Sequence, residues 1–242
     1  MELNFAGLSD PGLIRSNNQD AYYIDPEKRF CIVADGMGGH AGGEEASRIA
    51  TEEIQAYLTD HWESSQSSQE LLVQALWQAN EAILQDQQNH PERADMGTTV
   101  VVLIFREPES PWCAHVGDSR LYRLRGEELE QITEDHTWVA RAIKLGDITF
   151  EEARNHPFRH VLSRCLGRED LHQVDVQSLD VKIGDRLLLC SDGLTEELIE
   201  PKIADCLQDS MLEKAAESLV EAAKAHGGHD NITVALVAVA EN

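Results

Sequence analysis

Phe30-Cys31-Ile32-Val33-Ala34-Asp35-Gly36-Met37-Gly38-Gly39-His40-Ala41-Gly42-Gly43 is the stretch from which the rest of the chain can be read. An apolar run ends in an acidic residue, a glycine-rich loop follows, and a helical pattern begins at Glu44. The spacing predicts a buried strand over 30–34 that delivers the Asp35 carboxylate to a rim. The glycines let the backbone approach something small.

Working outward, a strand runs to Leu8, Ser9-Asp10-Pro11-Gly12 has turn chemistry, and Ala21 to Ile24 is a second short strand. After the glycine loop, Ala46, Ile49, Ala50, Ile54, Tyr57 and Leu58 recur at helical spacing. Leu72, Ala75, Leu76, Ala79 and Ile83 form the stripe of a second amphipathic helix, and residues 211–226 carry a third. Thr98 to Phe105 is a β-branched and apolar run, expected to be a strand buried on both faces. Strands are also expected at 112–116, 121–124, 174–179, 186–190 and 232–239. Between 135 and 170 the pattern loosens, and Gly146, Pro157 and Gly167 break short helical pieces. That segment reads as an insertion over a surface. Strands in runs with helices in pairs predict an α+β class built on antiparallel sheets, in one domain over 1–242.

Composition narrows the partners. The 20 Lys and Arg against 44 Asp and Glu give a formal net charge of −24. Such a surface repels nucleic acid and anionic membranes, so neither is expected as a partner. The five Cys residues form no C-x-x-C pair, and Cys31, Cys113 and Cys190 sit in apolar runs. They read as small core residues of a reduced, cytoplasmic protein. No apolar run reaches membrane-spanning length.

Several aspartates share one context. Asp35, Asp118 and Asp192 follow strands, Asp230 precedes the last strand, and Asp20 precedes another. A single Asp-Gly is ordinary turn chemistry. Carboxylates from several strand ends can instead converge at one sheet edge, where they raise one another's pKa. Hard divalent cations relieve that repulsion, and all-oxygen ligands select Mg²⁺ or Mn²⁺ over zinc. His156 and His160 lack the neighbours of a zinc site and read as loop histidines. Gly36-x-Gly38-x-x-Ala41 also matches a dinucleotide fingerprint, but no acidic residue stands at a second strand's end, and Asp35 would oppose a pyrophosphate. Ser119 and Ser191 lack the surroundings of a nucleophile.

The motifs Asn18-Gln19-Asp20-Ala21, Asp35-Gly36-Met37-Gly38-Gly39-His40, Met96-Gly97-Thr98-Thr99, Gly117-Asp118-Ser119-Arg120, Ser191-Asp192-Gly193-Leu194 and Asp230-Asn231-Ile232-Thr233 stand in order along the chain. In these it resembles the metal-dependent serine/threonine protein phosphatases of type 2C, the PPM family. It is most similar to bacterial stand-alone members, and especially to cyanobacterial phosphatases acting on the phosphorylated P-II signalling protein. The resemblance implies a four-layer α-β-β-α sandwich with two tightly bound Mg²⁺ or Mn²⁺ ions at one end. It implies that Asp35 bridges them, Gly36 offers its carbonyl, and Asp192 and Asp230 complete the pair. Asp118, with Asp192, would hold a third, weaker ion. Asp20 would touch metal-bound water, Arg15 would clamp the phosphate, and His40 would protonate the leaving group. Residues 135–170 match the bacterial flap. Gln19 stands where animal members have an acid.

The implied reaction is hydrolysis of phosphoserine or phosphothreonine on proteins by in-line attack of a metal-bridged hydroxide, without a phosphoenzyme. Two other readings stay open: a catalytically silent binding module on the same fold, and a phosphoesterase for small phosphate esters.

Overall fold

The structure, a computed structural model, describes residues 1–39, 42–154 and 156–241. The chain opens with β1 (Glu2–Asp10), β2 (Asp20–Ile24) and β3 (Phe30–Met37). Helices α1 (Gly42–His61) and α2 (Ser68–Asn89) follow, then β4 (Gly97–Thr98), β5 (Val100–Ile104), β6 (Trp112–Val116), β7 (Arg120–Arg125) and β8 (Glu128–Gln131). The flap segment carries α3 (Trp138–Leu145) and α4 (Phe150–Arg154). The chain continues through β9 (Asp175–Ser178), β10 (Arg186–Cys190), α5 (Asp192–Thr195), α6 (Glu200–Leu207), α7 (Leu212–His226) and β11 (Ile232–Ala240).

Two antiparallel sheets result, one ordered β1-β11-β10-β7-β8 and the other β2-β3-β5-β6-β9, with β4 pairing the end of β3. The period-2 alternation of strand side chains explains the layers. On β3, Phe30, Ile32 and Ala34 pack under α1 and α2. Cys31 and Val33 face the other way, against Leu187, Leu189, Ala235 and Val237 of the second sheet. That sheet's outer side chains, including Leu188, Cys190, Val234 and Leu236, pack on α6 and α7. β3 and β5 read as continuous apolar runs because both of their faces are covered. The α+β class and the layered sandwich are therefore as expected.

Two boundaries differ from the sequence reading, and both matter to the rim. β3 does not stop at Ala34 but runs through Asp35 to Met37. Its extra residues find ladder partners in β4, Gly36 opposite Thr98 and Met37 opposite Gly97. α1 starts at Gly42, two residues before Glu44. The flap segment is also less superficial than its loose pattern suggests. Phe150 is 76% exposed, but His136, Thr137, Ala142 and Leu166 are buried. Isolated bridges join Thr137 to Leu162 and Thr98 to Leu166, so the roots of the segment are stitched into the fold. The five cysteines are buried and free. Among the described residues, no helix is long and apolar enough to cross a membrane.

Candidate metal centre

The aspartates come to one rim because strand ends do. Asp20 opens β2 and stands opposite Asp35 across the β2–β3 ladder. Asp118 lies two residues beyond β6, Asp192 two beyond β10, and Asp230 two before β11. Since β10 and β11 are neighbours in the other sheet, the rim draws acids from both sheets. Asp35 and Asp192 meet across the gap, their side chains within hydrogen-bond reach when one holds a proton.

The polar scaffold behind these acids is specific. Ser191 Oγ donates to Asp20 Oδ2 at 2.7 Å and accepts the Thr233 amide at 3.0 Å. The Asp35 amide donates to Thr99 Oγ1 at 3.1 Å, and Thr99 Oγ1 lies 2.6 Å from Ser119 Oγ. Both serine hydroxyls are thereby committed and buried, as expected for structural rather than nucleophilic residues. Gly36 is required by space: a Cβ there would lie 1.9 Å from the Gly43 carbonyl oxygen and 2.6 Å from that of Gln19. Arg15, half exposed, donates from Nη2 to Asp230 Oδ2 at 2.7 Å. His40 lies outside the described residues.

Electrostatics show what the rim lacks. Burial, then the charges of Asp20, Asp192 and Asp118, lifts the Asp35 carboxyl well above the carboxylate range. Burial, then Asp192 and Asp135, does the same to Asp118. Asp192 is raised chiefly by burial, with Asp230 adding to it. Asp20 is pushed up to about 7, mainly by burial, although bonds from Thr233 and Ser191 pull it down. Its Oδ1 is buried with no hydrogen-bond partner among the described residues. An acceptor-only oxygen in that position is costly unless a cation or donor meets it. These donors fit a hard divalent cation, with oxygens throughout and excess negative charge. They do not fit a pyrophosphate, which would face four further carboxylates.

Two residues join the rim that the sequence reading set aside or missed. His160 Nδ1 lies 2.5 Å from Glu196 Oε1, and ligand atoms of His160, Asp192 and Glu196 all lie within 4.8 Å of one another. His160 is thus a loop histidine, as expected, that also reaches the rim. Burial and the charges of Asp192 and Asp230 push Glu196 up to about 7. The legible signal for Glu196 is its four-residue spacing from Asp192, which places both on one helical face. The Glu196 amide indeed donates to the Asp192 carbonyl at 2.8 Å.

Comparison with known proteins agrees with this fold. The family model described as Protein phosphatase 2C matches residues 15–226. The chain is 38% identical to protein phosphatase PhpP of Streptococcus pneumoniae, over 97% of this chain and 96% of that one. It is 37% identical to serine/threonine protein phosphatase PstP of Mycobacterium tuberculosis over 99% of its own length, and spans about 45% of that longer relative. A crystal structure of the mycobacterial PstP superposes with a TM-score of 0.88 at 37% identity, covering 99% of both chains. The catalytic domain of PstP in complex with two manganese ions superposes with a TM-score of 0.85 at 35% identity, again over 99% of both chains. With its rim acids, its layered fold and a family match over most of its length, the chain belongs to the protein phosphatase 2C family.

Proposed function

We propose that this chain is a Mg²⁺- or Mn²⁺-dependent serine/threonine protein phosphatase. The observation that carries the reading is the meeting of Asp35 and Asp192 from opposite sheets, beside an Asp20 oxygen without a donor. Asp35, the Gly36 carbonyl, Asp192 and Asp230 would hold a cation pair, and Asp118 with Asp192 a third, weaker ion. Bound there, divalent cations supply charge neutralisation and a water acidic enough to attack phosphorus near neutral pH.

The chain's own groups divide the remaining work. Arg15, half exposed beside Asp230, is placed to offer a bidentate guanidinium to a phosphoryl group. Asp20, anchored by Ser191, orients water at the rim. His40 is the proposed proton donor to the departing serine or threonine oxygen, a task that suits an imidazole, the side chain whose unperturbed pKa of about 6.5 lies nearest neutrality. The flap at 135–170 borders the rim through His160. Phosphorylated proteins are the substrate class, and the phosphorylated P-II signalling protein is the candidate that the resemblance to cyanobacterial members suggests. A cytoplasmic location fits the five free thiols.

The test is release of phosphate from a phosphothreonine peptide with Mn²⁺ and then with EDTA. Turnover that persists in EDTA would sink the metal-dependent reading. No turnover at all would favour the silent binding module, and turnover confined to p-nitrophenyl phosphate would favour the small-ester reading.

A further inference from the structure

Away from the five aspartates, one buried cluster is built with unusual completeness. His115 on β6 and His136 at the root of the flap are each 3% exposed, and their rings stack 4.5 Å apart. His136 Nε2 lies 3.1 Å from Asp175 Oδ2, while Arg164 Nη1 donates to Asp175 Oδ1 at 2.8 Å. On the other side of the ring, His136 Nδ1 accepts the Gly117 amide at 3.1 Å, and the His136 amide returns a bond to the Gly117 carbonyl at 2.9 Å.

These partners fix the tautomer. A backbone amide only donates, so His136 Nδ1 presents a lone pair and its proton sits on Nε2, facing the Asp175 carboxylate. His115 Nε2, 2.9 Å from the Glu134 carbonyl, carries a proton for the converse reason, since a carbonyl only accepts. The set is therefore not a free metal site, although its atoms are close enough for one. A cation between His136 and Asp175 would require an imidazole that gives up both lone pairs.

Gly117 immediately precedes Asp118 and has φ of +107°, with Thr99 Cβ only 2.5 Å from where its own Cβ would stand. The loop is thus pinned between Thr99 on one side and His136 on the other. We infer that His136 is a positioning residue for the Asp118 carboxylate, acting through its Nδ1 bond to the Gly117 amide. This rests on the reading of Asp118 as ligand of the weaker cation. The His136 carbonyl also accepts the Ser163 amide at 2.8 Å, so the returning limb of the flap closes on the residue that sets Asp118. Burial, with the charges of His115 and Arg164, holds His136 down at about 4 against the pull of Asp175, which keeps Nδ1 an acceptor at neutral pH.

Two conservative variants separate the two faces of the ring. In His136→Asn the amide oxygen takes the place of Nδ1; in His136→Gln the amide reaches only the place of Nε2. The readouts are calorimetric Mn²⁺ binding to chelated protein and hydrogen exchange of the Gly117 amide. His136→Gln is expected to weaken the weaker Mn²⁺ class about ten-fold or more and to speed Gly117 exchange, while His136→Asn stays within about two-fold of the parent on both. Equal behaviour of the two variants overturns the inference. If Asp118→Ala leaves the weaker Mn²⁺ class intact, the ligand assignment has failed instead. The Gly117 exchange, which needs no metal, then still decides whether His136 holds the loop. Should neither variant fold, ¹⁵N spectra of the parent's imidazoles suffice: a proton found on His136 Nδ1 overturns the inference.

Discussion

Thr99 Oγ1 lies 2.6 Å from Ser119 Oγ and also accepts the Asp35 amide at 3.1 Å. One buried hydroxyl therefore joins the residue that carries the central acid to the residue that follows Asp118. Thr99→Val preserves the shape and removes the hydroxyl, stranding a buried donor on Asp35. Unfolding in denaturant, measured on chelated protein, should show a loss of about 1–3 kcal/mol. Mn²⁺ affinity should fall in the same variant. Unchanged values for both would show that Thr99 is filler.

Asp192 is expected to work for function and against stability. It sits among like charges, and its carboxyl is raised by burial and by Asp230. Asp192→Asn should lower turnover by about a thousand-fold or more, since a divalent cation supplies several kcal/mol of charge stabilisation. In EDTA the same variant should melt higher than its parent, because one repelling charge is gone while an amide can still bond Asp35. Calorimetric melting with and without Mn²⁺ checks both signs, and a variant that melts lower in EDTA contradicts the repulsion.

The pH dependence of the chelated protein follows from groups shifted in opposite directions. Asp20 is raised from 3.8 to about 7, so the folded chain holds an extra proton between those values. Its stabilising contribution is complete below pH 3.8 and lost as the pH rises through 7. His136 is depressed from 6.5 to about 4, so there the unfolded chain binds more protons. That contribution is complete above pH 6.5 and lost as the pH falls through 4. The two oppose each other between these limits. Above pH 6.5 only the acidic rim acts, so the melting temperature in EDTA should fall between about pH 6.5 and 8. Mn²⁺ should abolish that fall, because it selects the ionised carboxylates. A flat profile in EDTA would mean that Asp20 is not held protonated.

Arg15 is predicted to matter for substrate rather than for folding. Its side chain is 52% exposed and its pairing with Asp230 is an exposed one, of a kind that contributes about 0–1 kcal/mol. Arg15→Ala should leave the melting temperature close to the parent's and raise KM for a phosphopeptide about ten-fold or more, as loss of a bidentate phosphate contact requires. Arg15→Lys should recover only part of that loss. An unchanged KM would remove Arg15 from the phosphate.

Much of the fold was legible because its signals are local. Residues 112–116 and 186–190 are strands in the structure as in the sequence reading, and the helical stripe of 212–226 needs no distant partner to be recognised. The clustering of aspartates at strand ends was legible for the same reason. What escaped depends on residues far apart in the chain. β3 outruns its apolar run because Asp20 of β2 pairs with Asp35, and because Gly97 and Thr98 offer Met37 and Gly36 a ladder some sixty residues later. The flap's roots looked polar and loose, yet His136 is buried by stacking on His115 and by bonds to Gly117 and Asp175. His160 gave no periodic signal at all, since it reaches the rim from an irregular segment to meet Glu196.

Asp20 and Asp35 belong to one sheet, while Asp192 and Asp230 flank strands of the other. Elsewhere the two sheets adhere through Val33, Leu187 and Val237, which need nothing from solvent. At the rim they confront each other with groups that push apart. A cation seated there would therefore act as a rivet between two ladders that share no strand, and loading would be as much a mechanical event as a chemical one. Chelation should let the sandwich gape from that end, β2 and β10 loosening first, while the apolar seam behind them stays shut.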